Sequence, residues 1–377
     1  MSTDFDVAIA GLGIAGAATA RALAGRGLRV LGLDRHERAH APGSSHGRSR
    51  IIREAYYEHP LYVPLVQRAY SLWADLERES GRQLVRVTGG LTIGPPDGTL
   101  VSGALESIRR HGLPHEIPDA EGVARRFPAL APPPGTLAVF EPRAGVLQAA
   151  DCLDACLSGA ETHGAELRFG EPLLSWADDG DGVRLRTPAR DITAGRLILA
   201  AGGWLGGLPG LALAFPLTVE RQAVHYFAQR DDAAEHPAPV LLWEYEPDRV
   251  FYSLPEPTGS IKAAVHHEGE VSAHPDEVRR TVRPDETLRV ARLLRTIAPG
   301  LAATPAGSEV CIYTNTPDRH FLIDALPGSP RVWLLSACSG HGFKFAPALA
   351  EAIADIAAGG RSRLDLSPFR LARFGSS

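Results

Sequence analysis

Apolar and polar positions alternate with two periods along this chain. Residues 7–10 form a short unbroken apolar run, which reads as a buried strand, and the small residues 15–24 behind it read as a helix. A second apolar run, 28–33, ends in Asp34. The polar stretch 35–50, rich in His, Gly, Ser and Arg, reads as a loop that covers something. Residues 51–79 read as largely helical, interrupted early by Pro60 and Pro64, with Leu61, Leu65, Ala69, Leu72 and Leu76 at helical spacing. Residues 85–93 alternate around Gly89-Gly90 as strand. Residues 100–111 and 121–127 read as helices, and 137–140 and 145–147 as extended pieces. Asp151 is taken as the cap of a helix running to 163. Residues 166–169, 173–177, 183–187 and 191–192 predict a short antiparallel set, and 196–200 an apolar strand. Residues 218–265 are mostly β, with turns at Pro-Asp and Pro-Thr-Gly. A helix over 285–297, strands over 309–314, 321–324 and 332–335, an amphipathic helix over 346–357 and a tail over 364–373 complete the pattern.

The first apolar run leads into Gly11, Gly13 and Gly16, a G-x-G-x-x-G spacing that opens the first helix. Gly11 permits the tight turn, Gly13 lets backbone approach a pyrophosphate, and Gly16 lets helix pack on strand. The helix N-terminus offers free N–H groups to phosphate. Asp34 lies 23 residues after Gly11, where a ribose-binding carboxylate belongs. Together these predict a Rossmann-like unit for a dinucleotide without saying which one. That unit is assembled from residues 1–84, 145–216 and 315–377. A mixed β region, 85–144 and 217–314, interleaves with it as a second domain. The predicted class is therefore α/β plus α+β. Such interleaving suits flavoproteins better than nicotinamide dehydrogenases, whose Rossmann unit is usually contiguous.

Composition narrows the partners. The 377 residues, 44% hydrophobic and 22% charged, suit a globular protein with a sizeable core. A net charge of −5 gives no reason to expect nucleic acid or an anionic membrane. No run is long enough to span a bilayer, and the N-terminus lacks a basic leader, so the expected compartment is the cytoplasm. Cys152, Cys156, Cys311 and Cys338 form no C-x-x-C pair, which leaves metal and dithiol readings poor. No metal site is expected.

Four stretches carry candidate chemistry. Residues 43–53 hold His46, Arg48, Arg50 and Arg53. Arg48 reads as solvated. Arg50 and Arg53, at i and i+3, would share a face if the segment were helical, pointing into a cleft where arginine suits a carboxylate. Lys262 sits in a predicted strand between Ile261 and Ala263, and a buried cation there needs a task. Cys311 closes a strand with Tyr313 and by itself is a small buried hydrophobe. Residues 339–345, Ser-Gly-His-Gly-Phe-Lys-Phe, turn into the last helix, where backbone N–H groups and Lys344 could stabilise an anionic reduced flavin.

Nearly the whole chain resembles the monomeric sarcosine oxidase family, which includes N-methyltryptophan oxidase, within the glycine oxidase and D-amino-acid oxidase group. The motifs G-S-x-H-G-x-x-R-I-I-R, T-G-G-L, P-L-x-x-x-R-Q, C-x-Y-T-x-T-P-D and S-G-H-G-F-K-F stand here in family order. The resemblance implies FAD, covalently attached as a thioether from Cys311 to the flavin 8α carbon. It implies cofactor contacts from Gly11, Gly13, Ile14, Ala15, Gly16, Asp34, Arg35, Ser44, Ser45, Arg50, Ile51 and Leu173. Ala200, Gly202, Trp204, Gly340, His341, Gly342, Phe343 and Lys344 are expected to add to them. Lys262 corresponds to the lysine that promotes reaction with O2. His46 and Arg50 match the polar pair on the opposite flavin face. Arg53 and Lys344 match residues that grip the substrate carboxylate, and Tyr252, His266 and Tyr313 match residues lining the substrate cavity. Arg48 and Ser49 replace a common acid and a common threonine, and the loop before Lys262 is one residue short.

The implied reaction is oxidation of a small secondary-amine amino acid, foremost sarcosine, by O2 and water to glycine, formaldehyde and H2O2, in a monomer. Related substrates stay open: N-methyltryptophan, other N-methyl amino acids, pipecolate or proline. So do an FAD dehydrogenase serving a protein acceptor and a flavoprotein without turnover.

Overall fold

The computed structural model describes residues 3–213, 215–228, 238–257, 259–301 and 304–375. Residues 229–237 and Thr258, within the predicted β region, lie outside these. Strands and helices are numbered here in chain order.

The first sheet contains β1 (Phe5–Ala10), β2 (Val30–Leu33), β8 (Glu166–Arg168), β9 (Ser175–Asp178), β10 (Val183–Arg186), β11 (Asp191–Leu199), β18 (Leu322–Leu326) and β19 (Ser329–Ser336). Its main order is β18-β19-β11-β1-β2-β8. The central pairs β19–β11, β11–β1, β1–β2 and β2–β8 are parallel. Both faces of these strands are covered, as their unbroken apolar runs require. On one face lie α1 (Ile14–Ala24), α5 (Ala149–Thr162) and α7 (Ala346–Ala357), flanked by α2 (Tyr62–Ser80). On the other, Leu31, Leu33 and Leu197 pack with Val183, Leu185 and Ile192.

The second sheet contains β5 (Gly90–Gly94), β6 (Leu137–Glu141), β12 (Thr218–Ala228), β13 (Val240–Glu246), β14 (Arg249–Pro255), β15 (Ser260–His266), β16 (Val271–Ser272) and β17 (Thr304–Asn315). Its order is β16-β12-β15-β14-β13-β5-β6, with β17 also on β12. Period-2 alternation divides its residues. Phe227, Leu241, Trp243, Phe251, Ile261 and Ala263 join a core with Val290, Leu294 and Ile297 of α6 (Pro284–Ile297). Their neighbours Leu242, Val250, Tyr252, Leu254, Lys262 and His266 line a cavity instead. A third sheet, β3 (Ser49–Ile52), β7 (Gly145–Gln148) and β4 (Val85–Val87), links the two. The two remaining helices are α3 (Thr99–His111) and α4 (Ala120–Arg126).

Four local expectations change. Residues 51–61 are not helical: β3 pairs antiparallel with β7, and α2 begins only at Tyr62. Pro64 falls in the first turn of α2, where its missing N–H would have no helical partner. Asp151 is not the cap: Gln148 precedes α5, and Asp151 lies in its first turn, favourable to the helix dipole. Residues 166–168 leave the predicted antiparallel set and extend the parallel sheet beside β2. The predicted strands at 191–192 and 196–200 are one strand, β11, pairing with β10 through its first half.

Candidate active site

A single cavity of about 530 Å³ runs from the Gly11 turn to the second sheet. Every residue expected at the site lines it except Gly16. A Cβ on Gly16 would overlap the carbonyl of Gly11, so this glycine serves the packing of α1 on the turn rather than the cavity wall. Gly11 adopts φ +102°, and a Cβ there would meet the Ala200 carbonyl at 2.5 Å. Both positions demand glycine for these reasons.

At the Gly11 end, α1 opens toward the cavity with Gly13 as its N-cap, and the Ile14 amide donates to Ser45 Oγ at 2.9 Å. Asp34 is buried. It accepts from the Leu12 amide at 2.7 Å and the His36 amide at 2.9 Å, which hold its carboxylate at the end of β2. Arg35 lies over Trp204, whose indole N–H donates to Asp276 at 2.9 Å.

Farther in, the loop 44–50 is gathered by Arg50. Its guanidinium donates to the carbonyls of Ser44 (2.8 Å), His46 (2.6 Å) and Ser49 (2.7 Å), and it stacks over Phe343. The expected shared helical face of Arg50 and Arg53 does not exist. Arg50 lies in β3 and Arg53 directly after it, yet both line the cavity. Cys311, on β17, sits 3.9 Å from Arg50 Nη2. Lys262 is buried and donates to the Ser49 carbonyl at 3.0 Å. Burial, reinforced by Arg50, pushes its ammonium down to about 8, against the pull of Glu256. Burial and then Arg50 also push His46 below its ordinary value, so it favours the neutral form. Arg48 is exposed, as expected, and covers the ring of Tyr226.

The cavity also holds a second charged cluster. Arg53 donates to the Ala55 carbonyl at 2.7 Å and to both oxygens of Glu58, at 2.9 and 2.7 Å. Burial alone would lower the Arg53 pKa; Glu58 more than reverses this. Lys344 donates to the Tyr56 hydroxyl at 3.1 Å and the His341 carbonyl at 2.8 Å. Burial, then Arg53, pushes its ammonium down to about 7. His266 meets the Tyr313 hydroxyl at 3.1 Å, and burial keeps it well below its ordinary value, hence neutral. The His341 ring is tied to Tyr56 at 2.8 Å and faces the Arg319 carbonyl at 3.3 Å. Its contribution to the cavity is therefore backbone and ring surface rather than a free nitrogen.

Sequence reasoning missed Glu58, Glu256 and Glu309 in this neighbourhood. It also missed a signal in plain view. The chain has only two lysines, Lys262 and Lys344, and both are buried in this one cavity. Among the described residues, no group of side chains could hold a metal ion, and no helix is long and apolar enough to cross a membrane.

The cavity wall suits a large polar cofactor. Thr314 Oγ1, Ser336 Oγ, His36 Nε2 and His40 Nδ1 are buried without a partner, and their residues line it. Unpaired buried polar atoms are costly unless a ligand completes them. The family model for FAD dependent oxidoreductases (DAO) matches residues 6–356. The chain belongs to that family. A monomeric sarcosine oxidase of Streptomyces avermitilis is 39% identical over 95% of this chain and 94% of its own. An N-methyl-L-tryptophan oxidase of Escherichia coli is 34% identical over 98% and 99%. Among solved structures, NikD, an unusual amino acid oxidase essential for nikkomycin biosynthesis, superimposes with a TM-score of 0.86 at 25% identity, covering 98% of both chains. An L-proline dehydrogenase from P. horikoshii shares the fold, with a TM-score of 0.85 at 20% identity over 99% and 98%. The fold class read from the sequence is thus that of the DAO family.

Proposed function

We propose that this chain is an FAD-dependent oxidase of small secondary-amine amino acids, with sarcosine as substrate and glycine, formaldehyde and H2O2 as products. The observation that carries this is one cavity that gathers a carboxylate-binding pair, Arg53 and Lys344, and a buried ammonium, Lys262, near Cys311 and Arg50. The similarity to sarcosine oxidases supports the same reading.

FAD, when bound, would supply the redox chemistry: a two-electron acceptor for the hydride on the carbon next to the amine, and a donor of those electrons to O2. The Gly11 turn, α1 and Asp34 would hold its ADP half, and Gly342, Phe343 and Lys344 its pyrimidine edge. The Cys311 thiol would be the attachment point for the 8α carbon. Arg53 and Lys344 fix the substrate carboxylate, which orients the N-substituent; such fixed geometry supplies several kcal/mol of a barrier. Their positive charge disfavours a third cation and so favours the neutral amine that hydride release requires. Neutral His266, with Tyr313 and Tyr252, walls the amine without adding charge. Lys262 stabilises the anion formed as O2 takes up its first electron. Residues 1–84, 145–216 and 315–377 form the FAD domain, and 85–144 and 217–314 the substrate domain. The division is supported by the sheets, since β4 is the sole strand of the third sheet from the second set. The enzyme acts as a cytoplasmic monomer.

A peroxide assay over sarcosine, other N-methyl amino acids, pipecolate and proline tests the reading. The highest kcat/KM is expected for sarcosine. Flavin that bleaches without peroxide release in air would mark a dehydrogenase instead. After denaturation, yellow colour should stay with the protein; free flavin in the supernatant would refute the Cys311 linkage.

A further inference from the structure

Behind the part of the cavity wall that carries Lys262 lies a buried acid with no part in the steps above. Glu256 follows β14 at the turn into β15, and its amide donates to the Ser260 carbonyl at 2.8 Å. Its side chain is turned inward, leaving 2% of the residue exposed. One oxygen accepts from the Ser49 hydroxyl, and the other has no hydrogen-bond partner among the described residues. Ser49 faces both ways. Its carbonyl accepts from Lys262 at 3.0 Å and from Arg50 at 2.7 Å. Ser49 and Lys262 line the cavity, and Glu256 lies behind them.

Two cations thus converge on one neutral carbonyl. A carbonyl dipole alone is a poor partner for two buried charges. We infer that Glu256 is the counter-charge that keeps Lys262 protonated, a positioning residue that acts through Ser49 and Lys262 without touching substrate or O2. The groups facing Lys262 are Arg50 from β3, His46 from the preceding loop, Cys311 and Glu309 from β17, and Glu256 itself. Tyr226 of β12 faces both acids. Glu309 is the weaker candidate because it is half-buried and engaged by the Tyr226 hydroxyl. The field of an enclosed carboxylate is screened least. The assignment to O2 chemistry rests on the reading of Lys262 given above; the assignment of charge does not.

The two-lysine composition permits a direct test. Holoenzyme made with 13Cε-labelled lysine contains two labelled side chains, and Lys262→Met identifies the signal of Lys262. In Glu256→Gln, the titration of Lys262 is expected to move to lower pH by about one unit, a tenfold change in its protonation equilibrium, while Lys344 stays in place. Glu256→Asp should recover most of the shift. Stopped-flow reoxidation should then lose rate at correspondingly lower pH, while anaerobic reduction by sarcosine stays as it was. An unmoved Lys262 titration in Glu256→Gln overturns the inference. A moved titration with normal reoxidation of Lys262→Met upholds the counter-charge and overturns the O2 role instead. If Glu256→Gln alone yields no folded holoenzyme, the double variant with Lys262→Met decides. With the lysine charge gone it is expected to fold and load flavin, and its failure would make Glu256 purely structural.

Discussion

The two lysines of this chain line one cavity, each near an arginine and a glutamate, yet the charges are joined differently. Around Lys344, Glu58 closes directly on the fork of Arg53 with both oxygens. Around Lys262, Arg50 spends its donors on three carbonyls, and Glu256 reaches the cations only through Ser49. The first arrangement is a carboxylate site already filled by a carboxylate, so a substrate acid must compete for a geometry the protein has prepared. The second leaves an ammonium held by a dipole, without a contacting anion. That arrangement suits a negative charge that appears only during reaction.

The largest test of this contrast is Lys262→Met. Reoxidation in air is expected to slow by about 100-fold or more, the scale of losing one preorganised donor, with anaerobic reduction preserved. Equal losses in both half-reactions would mean the two clusters are not separate devices. Next is Arg53→Ala, which removes the fork and should raise the KM for sarcosine by about 30-fold or more, while reoxidation of reduced enzyme is untouched. The pH dependence follows from Lys344. It is charged below about 7 and neutral above, so sarcosine affinity should fall as pH rises through that region, and Lys344→Met should flatten the profile. A profile unchanged by that substitution would take Lys344 out of carboxylate binding. The smallest expected effect is that of Glu58→Gln. Loss of the competing carboxylate should lower the KM about two- to fivefold; a higher KM would show that Glu58 orients Arg53 more than it blocks it.

The contrast also marks where sequence reasoning reached its limit. The Gly11 turn, α1, β2 and Asp34 were legible because they are neighbours in the chain and each glycine answers a local steric demand. Lys262 was legible as a cation between apolar strand neighbours, and alternation alone turns it away from Ile261 and Ala263. Residues 51–61 were not. Ile51 and Ile52 fit either period, and the choice was made by β7, nearly a hundred residues later. Asp151 carried a capping residue type, but the chain enters α5 directly from β7, which sets the cap at Gln148, three residues earlier. Glu58 and Glu256 had no local signal, because an acid becomes significant only through what it is buried against.

What the sequence by itself determined is the dinucleotide turn, the interleaving along the chain of the strands of the two large sheets, and the identity of the cations that line the cavity, since all of these are written in spacing and residue type. What only the tertiary structure decided is which charge answers which. Arg53 meets Glu58 directly, five residues on, but Lys262 and Glu256 are joined only through Ser49, more than two hundred residues away from both. Electrostatic energy depends on distance and burial, and neither exists until the chain has folded.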